Sequence, residues 1–242
     1  MLRVACAVLT CCYALCGQSA APRFEVASIK PSNEPPGHSS AHSHHGRVTG
    51  ENITLKECIM RAYSVGPRQV ADGPAWLDVD RFEIDAKAEQ PTEDDGLMNA
   101  MLGTLLADRF KLVFHRETRP IEAFLLEVTK NGPKLEKASG GDSTTHTSND
   151  GRRVSVTATN LGMDAFATVL SRRVDMPVVN RTGLEGLFNV KLEWAPESSQ
   201  REPDPGPSLF TAIQEQLGLR LRAGKAPVEV LVVDHAEKPG EN

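Results

Sequence analysis

Apolar residues along this chain of 242 residues fall alternately at strand and helix periods. Residues 81–88 alternate Phe82, Ile84 and Ala86 against Glu83, Asp85 and Lys87, the pattern of a half-buried strand. Phe188, Val190, Leu192 and Trp194 alternate in the same way. Leu55, Cys58, Ile59, Ala62 and Tyr63 make a helical stripe behind Thr54-Leu55-Lys56-Glu57, which has the form of a capping box. Asp94 caps a second predicted helix with the stripe Met98, Met101, Leu102, Leu105 and Leu106. Asn160 is expected to cap a third, with the stripe Met163, Phe166, Ala167 and Leu170. Ser208 is expected to cap a fourth, with Leu209, Ala212, Ile213 and Leu217. Residues 24–29 are β-prone, and residues 153–159 read as a strand. Residues 112–117 and 123–130 read as two strands joined across Arg119-Pro120, and a final strand is expected over 228–234, after a strand start at Leu219-Arg220-Leu221.

The second half of this pattern echoes the first. Asn52-Ile53-Thr54-Leu55 recurs as Asn160-Leu161-Gly162-Met163, and each is followed by a helix, a Pro/Gly connection, a strand opening on Phe and a further helix. Asn52 precedes Phe110 by 58 residues and Asn160 precedes Leu219 by 59. Such an echo points to a duplicated unit. The expected fold class is α+β: two tandem repeats of a small mixed sheet with helices packed on one face, after an N-terminal signal peptide. The expected division is a leader over residues 1–21, a first repeat over 22–138, a Gly/Ser/Thr-rich linker over 139–152 and a second repeat over 153–242.

The leader reading rests on Arg3, the uncharged apolar run from Val4 to Gly17, and the small residues Ser19, Ala20 and Ala21. It predicts an exported chain, periplasmic or extracellular, without a lipid anchor and without a transmembrane segment after the leader. Four of five cysteines lie in that segment, so only Cys58 remains and no internal disulfide is expected. The formal net charge of -5 is spread along the chain, with no basic face of the kind that nucleic-acid binding needs.

A family resemblance rests on residues spread through the chain. They include residues 24–32, Gly73-Pro74-Ala75-Trp76-Leu77, residues 105–112 with His115, Gly132-Pro133-Lys134-Leu135, Thr182-Gly183-Leu184 with Gly186, and Gln216-Leu217-Gly218-Leu219. In these the chain resembles the soil-associated secreted protein family, a domain of unknown function. That resemblance implies export and a kinship with domains attached to membrane-bound metallopeptidases of the antibiotic-sensor type; it implies no catalytic residues. More loosely, the repeat unit is similar to the short N-terminal domain of secretins and TonB-dependent receptors, which implies an envelope protein partner.

Candidate chemistry is sparse. His38, His42, His44 and His45 have possible metal-ligand spacing, on a stretch (residues 31–46) expected to be a surface loop or disordered. His115 is a candidate base without a nameable partner, Arg109 a candidate anion or partner contact, and Trp76 a candidate interaction residue. Cys58 reads as core. No P-loop, dinucleotide fingerprint, CxxC pair or HExxH occurs. The expectation is a non-enzymatic binding protein without a cofactor. The alternatives are a hydrolase whose site forms only in three dimensions and a metal-binding protein that uses residues 38–45.

Overall fold

The junction at Thr54 sets the plan of the first half: its hydroxyl accepts from the Glu57 backbone N–H at 3.2 Å, while the Glu57 carboxylate takes the Thr54 N–H at 2.7 Å. The expected capping box therefore starts the first helix where the third strand ends. A computed structural model describes residues 21–199 and 206–240. Within them the chain runs β1 (Val26–Pro31), β2 (Ser40–His44), β3 (Arg47–Thr54), α1 (Leu55–Tyr63), β4 (Val70–Ala71), β5 (Arg81–Lys87), α2 (Asp95–Phe110) and β6 (Val113–Val128). It continues with β7 (Glu136–Lys137), β8 (Thr144–Asn149), β9 (Val154–Leu161), α3 (Met163–Ser171), β10 (Val178–Asn180), β11 (Phe188–Trp194), α4 (Leu209–Leu217) and β12 (Leu219–His235). Residues 1–20 of the expected leader lie outside the described residues.

The fold is mixed α/β, with three small sheets. The first has the order β1-β5-β3-β2 and the second β7-β11-β9-β8, each antiparallel throughout. Helices α1 and α2 bury Leu55, Ile59, Leu106 and Phe110 against Ile29, Ile53, Phe82 and Ile84. Helices α3 and α4 bury Phe166, Leu170 and Ile213 against Val156, Val190 and Leu192. The third sheet, β10-β6-β12-β4, lies between these two cores and shares residues with both.

The two strand–helix junctions match in detail. Pairing slips by one residue between Gly50↔Ile84 and Ile53↔Phe82, and in the same way between Ala158↔Val190 and Leu161↔Phe188. At each bulge an Asn takes the left-handed conformation, with φ 52 at both Asn52 and Asn160, a region that Asn tolerates better than most residues. The backbone N–H of each is caught by the side chain that follows the strand-opening Phe: Glu83 Oε1 at 3.1 Å and Asn189 Oδ1 at 3.4 Å. Asn160 thus serves the bulge rather than capping α3, whose N-cap is Gly162 without a side-chain bond.

Several expected irregular stretches are ordered strands. Part of residues 31–46 forms the edge strand β2, paired with β3 from Ser40↔Glu51 to His44↔Arg47. Part of residues 139–152 forms β8, paired with β9. Both sequences are polar because one face of an edge strand meets solvent. The two strands expected over 112–130 are one, as are the strand start at Leu219 and the strand expected over 228–234. Pro120 and Pro227 stand opposite each other inside the β6–β12 ribbon. They fall outside the stretches where β10 and β4 add on, so the missing N–H groups face open edges and interrupt no ladder.

This ribbon exchanges partners between the halves. β6 leaves α2 and ends with Leu126 in the second core, whereas β12 leaves α4 and ends with Leu231 and Val233 in the first. Val233 also packs tightly on Gly73, where an added Cβ would lie 3.0 Å from the Val233 Cβ.

Candidate functional site

The candidate residues are dispersed. His115 on β6 meets a carboxylate, its Nδ1 lying 2.9 and 3.0 Å from the two oxygens of Asp234. The pair is exposed on the ribbon, and among the described residues no hydroxyl or thiol hydrogen-bonds to His115. Arg109, in the last turn of α2, donates from Nη2 to the Ala27 carbonyl at 3.1 Å and so ties the helix to β1. Trp76 lies edge-on to Phe82 and stacks on Phe110, both at 6.4 Å between ring centroids, with Lys238 Nζ 5.9 Å above its ring. Cys58 is buried, and that burial pushes its thiol up to about 12, which rules out a thiolate nucleophile at neutral pH.

The histidines separate. His38 precedes β2, and its carbonyl accepts from Asn52 Nδ2 at 3.1 Å. His42 and His44 project from one face of β2, since side chains alternate along a strand. His44 and His45 meet Glu93, a residue from the segment before α2 that local sequence pattern does not bring into the group.

A cleft of about 470 Å³ lies where the two halves meet. Its walls are Arg61 and Val65 from the end of α1 and beyond, Arg172, Val174 and Val178 from α3 through β10, and Val228 from β12. The size falls within the range of small-ligand sites. Arg61 and Arg172 are among its lining residues, and no acidic residue is among the described ones. Arg61 donates from Nη1 to the Ala41 carbonyl at 3.2 Å, and its Nε is buried without a hydrogen-bond partner. Neither Arg61 nor Arg172 has an ion-pair partner among the described residues. The cleft therefore combines apolar and small polar side chains with two arginine residues.

Residues 56–236 match the family described as Protein of unknown function (DUF3738). The chain belongs to that family. Comparisons with curated proteins and with solved structures return no match. In this DUF3738 chain the matched span contains all of the cleft residues named above, together with Trp76, Arg109 and His115, and begins after His38, His42, His44 and His45. Among the described residues no helix is long and apolar enough to cross a membrane.

Cleft residues of the DUF3738 chain escape a sequence reading because each sits at the end of an element. Arg61 lies in the last turn of α1 and Arg172 caps the end of α3. Asn52 precedes Arg61 by 9 residues and Asn160 precedes Arg172 by 12, so the echo along the sequence does not pair them.

Proposed function

We propose that this protein is an exported, non-enzymatic binding protein built from two copies of one α+β unit, 22–138 and 153–242, that holds a small anionic amphiphile in the cleft between them. The observation that carries the reading is the cleft lining: apolar side chains from both halves, two arginines and, among the described residues, no acid. A carboxylate or similar head group would be drawn to the guanidinium groups, and an aliphatic body would cover the valines. The duplication is supported by the shared strand order and by the paired bulges at Asn52 and Asn160. Export is supported by the leader-like residues 1–21, and the envelope setting by the family resemblance. The exposed His115–Asp234 pair lies outside this cleft and argues for binding over hydrolysis.

The test is calorimetric titration of the chain from residue 22 with decanoate and, separately, decyltrimethylammonium, both below micelle formation. Saturable binding of the carboxylate alone is expected. Arg61→Ala with Arg172→Ala should weaken it about a hundredfold or more, the loss of two charge-assisted hydrogen bonds worth about 1.5–3 kcal/mol each. Equal binding of both head groups, or binding indifferent to the double replacement, refutes the proposal. Recovery of the product outside the cytoplasm with its N-terminus near residue 22 tests export.

A further inference from the structure

We infer that the turn between β2 and β3 is a divalent-metal site formed by His44, His45 and Glu93, suited to Zn²⁺. The ligand atoms of the three side chains all lie within 4.8 Å of one another. His45 Nδ1 is 2.7 Å from Glu93 Oε1, and His44 Nδ1 is 3.7 Å from the same oxygen. The two imidazole centroids are 3.9 Å apart. All three side chains are exposed, so an ion can reach them from solvent. Two imidazoles and one carboxylate form the donor set of open zinc sites, which leave a position for water. The nitrogen ligands select against Mg²⁺ and Ca²⁺, which take oxygen.

The backbone distinguishes this group from a chance meeting of surface side chains. The Gly46 N–H donates to the Thr92 carbonyl and the Ala88 N–H donates to the Gly46 carbonyl, both at 2.8 Å. The His45 N–H also donates to Glu93 Oε1 at 3.2 Å. The turn is thus fastened to the segment that carries Glu93. His45 and Gly46 both take positive φ, 48 and 78, which folds the turn tightly enough for this contact. A Cβ at position 46 would lie 3.0 Å from the Gln90 carbonyl oxygen, so any other residue would strain the approach. Support of this kind around the donors is what a metal site needs in order to hold its ligands in place. Glu93 in turn precedes Asp94, which accepts from the Leu97 N–H at 3.1 Å as the N-cap of α2. The segment is therefore anchored on both sides. Among the described residues His38 does not belong to the group.

This site is independent of the cleft. Its test is isothermal titration of the tag-free protein with ZnCl₂, with MgCl₂ as a comparator. One equivalent of Zn²⁺ should bind saturably in the presence of excess Mg²⁺. His44→Ala, His45→Ala or Glu93→Gln should each weaken binding about tenfold or more, because even the outer-shell partner of a ligand is worth about 10–100-fold. His38→Ala should leave the affinity unchanged. All four positions are exposed, and an unchanged circular dichroism spectrum checks that each variant is folded. Absence of saturable Zn²⁺ uptake overturns the inference. So does an affinity unchanged in the triple variant, or lowered as much by His38→Ala as by His44→Ala.

Discussion

Replacing Leu231 by Ala is expected to destabilise both halves together. Leu231 belongs to the last strand, yet it is 1 % exposed within the core built by residues of the first half. Removing a buried leucine's branched end costs about 2–5 kcal/mol, with about 3 kcal/mol as a middle value. For a domain of this size each kcal/mol lowers Tm by about 2–4 °C, so a fall of roughly 6–12 °C is expected. The chain has two tryptophans, which separate the halves. Trp76 packs beside the first core and Trp194 is buried in the second. In Trp194→Phe and Trp76→Phe backgrounds, fluorescence during urea unfolding reports one half at a time. The β6–β12 ladder runs unbroken from Leu219↔Val128 to Val232↔His115, so loosening one end strains the other. Both midpoints should coincide in the parent and move together in Leu231→Ala. A Trp76 midpoint that falls while the Trp194 midpoint stays would show that the halves are energetically separate. Leu126→Ala, which empties a site in the second core, should produce the mirror result.

Three other outcomes are expected. Gly46→Ala should lower stability by about 1–2 kcal/mol, from positive φ and close approach, and should weaken Zn²⁺ binding without touching a ligand; thermal melts and the same titration measure both. Glu127 bonds to Arg222 and Arg220, which hold its carboxyl below the ordinary carboxylate range. Its contribution is therefore present above about pH 4.3, the ordinary value, and is lost as pH falls through the lower folded value. Glu127→Gln should accordingly show a smaller loss of stability in acid melts than the parent does. Finally, in the chain from residue 22, Cys58 should resist a thiol-specific disulfide reagent at neutral pH until the protein unfolds; rapid labelling of the folded protein would contradict its burial.

Features specified by near neighbours along the chain are legible in the amino-acid sequence. Thr54 with Glu57, Asp94 and Ser208 cap their helices as expected because a cap involves residues three apart. The alternation of Phe82 to Ala86 and of Phe188 to Trp194 maps directly onto buried faces. What is not legible depends on distant chain. Pro120 reads as a break until Pro227 is set against it in a ribbon with free outer edges. Ser-Ala-His-Ser-His reads as loop until β3 supplies its hydrogen bonds. Asn160 reads as a cap because Asn suits both a cap and a left-handed bulge, and only the slipped pairing of β9 with β11 decides between them. For the candidate sites, the histidines are visible in sequence, but Glu93 reaches them only through the Gly46–Thr92 contact.

The exchanged ribbon also governs the order in which this protein can be completed. Residues as far apart as Arg116 and Leu231 must pair before the N-terminal core closes. At synthesis rates of about 5–20 residues per second, that core stands unfinished for roughly 5–20 s after its own sequence has emerged. A chain that leaves the ribosome N-terminus first thus completes its N-terminal core only when its tail arrives.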